Sequence, residues 1–143
     1  MRWEMIPKLR AWKKYDSPEM FRDIAFIDFN KKLLGVNYKV SKLTTRLDIE
    51  ALDKFILMQS TGLKDKNGIE IYEGDVIANQ NKESEKWYVS HHVVVWYDTG
   101  FMGKQICSSC SHIGLQYWTS GENGYIVIGN IYETPELLKG HEK

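Results

Sequence analysis

A turn signal near the middle of the chain restricts the fold more than any other feature. Asn67 and Gly68 stand between two strand-like segments, and residues 69–71 alternate apolar and polar side chains. An Asn-Gly pair is a strong hairpin signal because both residues tolerate a positive φ angle. A second turn is marked by Glu-Gly-Asp at residues 73–75. Turns this close together leave room only for short strands, so we expect a mainly β fold.

Further strands are predicted wherever apolar and polar side chains alternate or β-branched and aromatic residues cluster. They lie at residues 2–12, 24–27, 33–40, 76–78, 87–97, 115–118 and 125–132. Pro7 lacks a backbone N–H, so the first strand lies at a sheet edge or is broken there. Many short strands separated by turns are typical of a small barrel or sandwich.

Two segments show helical signals. Thr45 and Asp48 form a loose capping box, and the apolar side chains that follow fall on one helical face. These side chains are Ile49, Leu52, Phe55 and Ile56. We therefore predict a helix over residues 45–58, although 55–58 could instead begin a strand. Thr134-Pro135 predicts a short C-terminal helical turn. The expected organisation is an N-terminal strand/helix segment at 1–58 and a small β-barrel at 59–143, in one compact unit.

Composition excludes several protein classes. Hydrophobic residues make up 43% and charged residues 27% of the 143 residues, which is ordinary for a globular protein. The longest apolar run is 93–97, whereas a transmembrane helix needs about 20 residues, so no membrane association is expected. The first residues also lack the apolar stretch of a secretion signal, which favours a cytoplasmic location.

Charge is balanced overall but not along the chain. The formal net charge is zero, yet residues 1–46 carry 11 basic and 5 acidic side chains. Residues 47–143 carry 8 basic and 14 acidic ones. Such a split indicates a nucleic-acid face, a self-complementary surface, or simple neutralisation within one fold. A net charge near zero permits self-association.

The basic N-terminal third holds a mixed aromatic and basic group. Trp12 lies on the polar face of the first predicted strand, together with Arg10 and near Lys13 and Lys14. Aromatic rings beside cations suit single-stranded nucleic acid. Trp and Arg are equally common at protein interfaces. These four residues are therefore candidate contacts to nucleic acid or to a protein partner.

Cys107 and Cys110 are spaced C-x-x-C. A structural zinc site needs about four ligands, and the available His91, His92 and His112 match no familiar zinc spacing. A redox motif should begin a helix in a βαβ unit, whereas these flanks favour loop and strand. Two free thiols are expected, with metal binding as the less favoured alternative, and we predict no cofactor.

Motifs for catalysis are absent. The sequence contains no G-x-x-x-x-G-K-[ST], G-x-G-x-x-G, H-E-x-x-H or G-x-S-x-G pattern. The acidic group of Glu70, Glu73 and Asp75 is best interpreted as a solvated hairpin edge with an aspartate that bonds turn amides. A non-enzymatic protein is therefore expected.

Three segments resemble the YopX family of phage and prophage proteins. They are Leu-Arg-Ala-Trp at 9–12, the long segment from Met58 to Asp75, and Val-Ile-Gly-Asn-Ile-Tyr-Glu-Thr-Pro-Glu-Leu-Leu at 127–138. The second reads M-Q-S-T-G-L-K-D-K-N-G-I-E-I-Y-E-G-D and is the most specific. Thr134 stands where the family commonly has Asn, and both residues can cap the following turn.

The resemblance implies a small Src-homology-3-like (SH3-like) barrel, a phage or prophage origin, and no established activity or catalytic residues. The strand/helix segment at 1–58 is then an N-terminal β/α extension of this barrel. We interpret the motif residues as structural, because glycines supply turn conformations, aspartates bond turn amides, and tyrosine rings close the barrel. These residues are Trp12, Gly62, Asp65, Gly68, Tyr72, Gly74, Asp75, Gly129 and Tyr132.

The sequence thus favours a non-enzymatic phage or prophage accessory protein that binds a phage or host protein or assembles with itself. The alternative is a nucleic-acid-binding module that uses the basic N-terminal third. A small enzyme or metal-binding protein using Cys107 and Cys110 ranks third.

Overall fold

The structure is a computed structural model that describes residues 7–79, 91–97, 100–106, 112–114 and 125–138. The chain divides into two units, Met1–Gln59 and Ser60–Lys143. It is mainly β and contains a curled, half-barrel sheet, which confirms the predicted class. No helix in the described ranges is long and apolar enough to cross a membrane.

The first unit is built from antiparallel strands. They are β1 (Leu9–Lys13), β2 (Glu19–Phe21), β3 (Ile24–Asp28), β4 (Leu33–Lys39), β5 (Thr45–Ala51) and part of β6, with a 3-10 turn at Leu52–Lys54. Strand β6 spans Phe55–Lys64, and the first unit includes it as far as Gln59. In this unit β1 lies between β2 and β6, and β4 lies between β3 and β5. The strands predicted at 24–27 and 33–40 are confirmed.

The core of the first unit lies between these two sheets. Alternate side chains of each strand point to one face, so each sheet contributes every second residue. The buried cluster comprises Ala11, Leu34, Val36 and Phe55, and Phe21, Ile24, Ile27, Leu52 and Leu57 pack against it. Burial of this apolar surface is the main source of stability for a unit of this size.

The helix predicted over residues 45–58 is wrong. The segment is β5, a single 3-10 turn and the start of β6. All seven residues of β5 pair with β4, from Ala51 opposite Leu33 to Thr45 opposite Lys39. This pairing satisfies the backbone groups on the β4 side of a segment whose side chains alternate between apolar and polar. Within residues 7–59 the N-terminal extension is therefore built of strands, without an α-helix.

The second unit continues with the other half of β6. It then contains β7 (Glu70–Tyr72), β8 (Asp75–Asn79), β9 (His91–Tyr97), β10 (Gly100–Gln105), β11 (His112–Gly114), β12 (Tyr125–Asn130) and a 3-10 turn at Pro135–Leu138. The last five strands form one antiparallel sheet in the order β11-β10-β9-β8-β12. Its core cluster comprises Ile71, Ile77, Val94 and Tyr125.

The turns predicted in the second unit are confirmed, with one difference. Gly68 has a φ of 83° in the loop between β6 and β7, and Gly74 has a φ of 90° between β7 and β8. Asn67 keeps a negative φ, so Gly68 alone takes the left-handed conformation in this loop. The C-terminal turn is 3-10 rather than α. The strand predicted at 115–118 lies outside the described residues.

Candidate functional site

The sheet β3-β4-β5 exposes one apolar face. Strand pairing places Phe26 and Ile49 on either side of Gly35, on the face opposite the core. Leu47 lies two residues from Ile49 and therefore on the same face. Leu47 is 50% and Ile49 52% exposed, and Phe26 is exposed as well. We call this set of four residues, Phe26, Gly35, Leu47 and Ile49, the outer face.

Gly35 makes room on the outer face for the ring of Phe26. A Cβ atom at this position would overlap Cε1 of Phe26 and lie 2.6 Å from its Cδ1. The ring of Phe26 therefore lies directly on the backbone of the neighbouring strand, the arrangement in which an aromatic residue covers a glycine in a sheet. The glycine therefore makes room for the Phe26 ring against the neighbouring strand.

A groove continues the outer face at the turn between β3 and β4. Its volume is about 610 Å³, and it is lined by Phe29, Lys31, Lys32, Leu33, Ala51, Leu52 and Asp53. Phe29 is 73% exposed. The backbone around it is held by hydrogen bonds: the Lys31 N–H donates to Asp28 Oδ1 at 2.9 Å, and the Leu52 N–H donates to the Lys32 carbonyl at 2.9 Å. The turn thus holds a protruding aromatic ring beside two cations.

The opposite face of β5 carries alternating charges. Arg46 donates two hydrogen bonds to Asp48, at 2.6 Å from Nε and 3.0 Å from the second guanidinium nitrogen. The guanidinium also lies 5.0 Å from the centre of the Tyr38 ring. The hydrogen bond from Arg46 lowers the pKa of Asp48, and the same bond raises the pKa of Arg46. Both charges therefore persist across the ordinary pH range.

Replacing Arg46 with glutamine is expected to raise the pKa of Asp48 toward its ordinary value, because the hydrogen bond is the largest cause of the shift. The pKa of Asp48 is lowered by folding, so its stabilising contribution is present above the unfolded-state pKa and is lost as pH falls through the folded-state pKa. A carboxyl-carbon NMR titration measures this directly. Lys39→Gln, which removes an exposed cation from neighbouring β4, is the matched control. An unchanged Asp48 titration in Arg46→Gln would contradict the assignment.

The predicted contact residues of β1 do not form one exposed group. Arg10 is 2% exposed, and its Nε atom donates to the sulfur of Met58 at 3.4 Å. The expectation that Arg10 offers a surface contact is therefore wrong: β1 is an inner strand of its sheet, and the Arg10 side chain is buried beside Met58 of the neighbouring strand. Trp12 is half-buried in the same strand, opposite Met20 on one side and Ile56 on the other.

The two lysines of this group have partners of their own. Lys13 Nζ lies 3.1 Å from Glu50 Oε2, with both side chains mostly buried. Lys14 Nζ lies 5.5 Å from the centre of the Tyr15 ring, at cation–π distance. Both lysines at the end of β1 therefore already have partners within the first unit, which makes them less available to bind phosphate groups.

In the second unit, Asp65 of the central motif bonds backbone. It is 4% exposed, and Oδ1 accepts hydrogen bonds from the N–H groups of Asn67 and Ile69, both at 2.8 Å. Oδ2 accepts from the N–H of Val127 at 2.9 Å. One carboxylate therefore closes the β6–β7 loop and joins it to the C-terminal motif, 62 residues away.

Asp75 and Gly74 act in the same way at the next turn. Asp75 is buried, and its Oδ2 accepts from the Tyr72 N–H at 2.7 Å. The Gly74 N–H donates to the Val94 carbonyl at 2.8 Å, and the Gly74 carbonyl accepts from the Ile131 N–H at 3.0 Å. Turn formation and strand joining are therefore carried by the same few motif residues.

The bend in β6 is centred on Gly62. The pairing of β6 with β7 shifts register between Ser60 and Lys64, and Gly62 has a φ of 80° within the shift. Its N–H donates to Ser60 Oγ at 3.1 Å. A glycine with positive φ at a register shift is typical of a β-bulge, which bends the strand.

The C-terminal motif depends on Asn130, a residue that sequence reasoning missed. Asn130 is buried, and its Oδ1 accepts from the N–H groups of Tyr132 at 3.0 Å and Glu133 at 2.8 Å. The Thr134 hydroxyl donates to the Asn130 carbonyl at 2.8 Å and accepts from its N–H at 2.9 Å. Gly129 lies beneath this hydroxyl. An Asn four residues before a Thr-Pro pair was the available signal, because Asn side chains bond turn amides.

The candidate metal ligands are only partly described. Cys107 and Cys110 lie outside the described residues. Within the described ranges, no group of three or more His, Cys, Asp or Glu side chains could hold a metal ion. His92 is buried, and its ring packs edge-to-face on Tyr125 with centres 5.6 Å apart.

Comparison with known proteins confirms the family resemblance. The family model described as YopX protein matches residues 8–139. The crystal structure of protein EF1440 from Enterococcus faecalis is similar, with a TM-score of 0.67 and 31% sequence identity over 94% of this chain and 99% of that chain. A comparison of the sequence with curated proteins found no match. The chain belongs to the YopX protein family.

Proposed function

We propose that the chain is a non-enzymatic accessory protein of a phage or prophage that binds another protein, or a second copy of itself, through the outer face. The observation that carries this proposal is the exposure of Phe26, Leu47 and Ile49 on one face of the sheet β3-β4-β5. Single exposed apolar side chains are common, whereas a contiguous group beside a groove is typical of an interaction site.

The motif residues support the non-enzymatic part. A reaction site needs a positioned nucleophile or base that can reach a substrate. The carboxylates of Asp65 and Asp75 instead accept hydrogen bonds from backbone N–H groups and are buried. Their role in this proposal is to hold the scaffold.

The finer fold and the location are part of the same proposal. The second unit is proposed to be a small SH3-like barrel, on the grounds of its short strands and the curled, half-barrel sheet of the protein. A cytoplasmic location in the bacterial host suits a phage protein whose longest apolar run is five residues, 93–97.

The function is tested by replacing Ile49 with lysine. We expect the wild-type protein either to self-associate in light-scattering chromatography or to retain a phage or host protein from infected cells. Ile49→Lys should weaken that association at least tenfold, because binding would bury a charge against apolar surface. The matched control is Ile69→Lys, since Ile69 is 51% exposed but lies in the second unit. A monomeric wild type that retains no protein, or retains the same proteins as Ile49→Lys, would overturn the proposal.

The second candidate function is binding of single-stranded nucleic acid. The observation that favours it is the groove, where exposed Phe29 stands beside Lys31 and Lys32. Stacking on a ring and contact with cations are the two elements of such binding. A mobility shift that weakens steeply as salt increases would support this function, and no shift at low salt would remove it.

A further inference from the structure

Strand β5 is a regular edge of its sheet. In the described part of the chain it pairs only with β4, without a register shift over seven residues. The other edge, β3, has a register shift between Ile24 and Phe26. Bulges protect sheet edges, whereas a long regular edge presents its N–H and carbonyl groups to a further strand. Of the two edges, β5 is therefore the one suited to pairing.

The residues of β5 are self-complementary in one antiparallel register. Two copies of a strand in one sheet are related by a two-fold axis normal to the sheet, so residues on the same face lie opposite each other. With Leu47 on that axis, Leu47 lies opposite Leu47 of the second copy. Arg46 of each copy then lies opposite Asp48 of the other. Opposite charges and apolar pairs directly across a sheet are both stabilising.

The neighbouring register is less favourable. With Asp48 on the axis, two like charges lie directly opposite each other, which is destabilising. The charges of β5 therefore select the register centred on Leu47.

We propose that a second copy of this chain pairs with the first through β5, antiparallel and centred on Leu47, so that the sheets β3-β4-β5 of the two copies join. This proposal rests on the proposed function and assigns its partner. The two outer faces become one continuous apolar surface, with the Leu47 side chains in contact at its centre. On the opposite face, Arg46 and Asp48 of the two copies form a group of four alternating charges.

Two charge-reversal variants test the pairing. Arg46→Asp leaves acidic residues at both 46 and 48, and Asp48→Arg leaves basic residues at both. Like charges then lie opposite each other between the copies, so each variant alone should dimerise at least tenfold more weakly than the wild type. Mixed in equal amounts, the two variants should form a heterodimer, because each acidic residue then faces a basic one. Sedimentation equilibrium measures the association, and thermal unfolding checks that both variants fold. Both substitutions lose the Arg46–Asp48 bond within one chain, so only pairing between chains explains recovery on mixing.

Leu47→Lys provides an independent test. It places two lysines opposite each other on the axis and should abolish dimerisation, while the control Ile69→Lys should leave it unchanged. A wild type that is monomeric at high concentration, or variants that dimerise like the wild type, or no heterodimer on mixing, would overturn the β5 pairing. The proposed function survives these results if an association that depends on Ile49 is still found, so the two failures are distinguishable.

Discussion

Replacing Asp65 with alanine is expected to lower the free energy of unfolding of the second unit by about 3 kcal/mol. The substitution leaves three N–H groups, those of Asn67, Ile69 and Val127, without their acceptor. A buried donor that loses its partner costs roughly 1–3 kcal/mol, and the three effects share one site, so they do not simply add. Urea unfolding followed by circular dichroism measures the loss.

The control for this prediction is Glu136→Ala, which removes an exposed carboxylate from the C-terminal turn. Asp65→Asn is an informative second variant. It keeps the size of the side chain but turns an NH₂ group toward a backbone N–H, so an intermediate loss is expected. If Asp65→Ala unfolds at the same urea concentration as Glu136→Ala, Asp65 does not have the role that its hydrogen bonds indicate.

Replacing Gly129 with alanine is expected to cost about 2 kcal/mol, which is within the range for overpacked sites. The added Cβ atom would overlap Thr134 Oγ1 and lie 2.8 Å from Leu137 Cδ1. The Thr134 hydroxyl cannot move away without giving up its hydrogen bonds to the backbone of Asn130. The loss is measured by thermal unfolding.

A double-mutant cycle with Thr134→Ala separates this collision from a general loss of stability. Thr134→Ala alone should destabilise, because it removes the hydrogen bonds with Asn130. In the double variant the added methyl group no longer meets the hydroxyl. The double variant should therefore lose less stability than the sum of the losses in the two single variants. Strict additivity would show that Gly129 and Thr134 do not collide. Gly35→Ala is the contrasting case: its neighbour Phe26 is exposed and can turn away, so we expect a smaller effect.

The turns of the second unit could be predicted because their cause is local. Gly68 and Gly74 take positive φ angles that few other residues adopt, and the strands on either side alternate. The turn at residues 30–32 has a local cause as well, because the Asp28 side chain accepts a hydrogen bond from the Lys31 N–H. In these places the residue types and their neighbours in sequence decide the conformation.

Residues 45–58 could not be assigned from the sequence because two periodicities overlap there. Ile49, Leu52 and Phe55 recur at a helical interval, whereas Leu47, Ile49 and Ala51 alternate as in a strand. A strand needs a partner, and pattern alone does not say whether one is present. The partner is β4, which pairs with all seven residues of β5. The outer face was missed for the same reason, since it exists only if β5 is a strand.

The sequence by itself determined the β class, the family and the positions of the glycine turns, because each depends on residues close together in the chain. Only the tertiary structure decided that Arg10 is buried beside Met58, that Asp65 reaches Val127, and that Leu47 and Ile49 lie exposed. These outcomes depend on which strands become neighbours, and strand pairing joins residues far apart in sequence. Local preference decides where the chain turns, whereas pairing decides which face is buried and which is left to meet a partner.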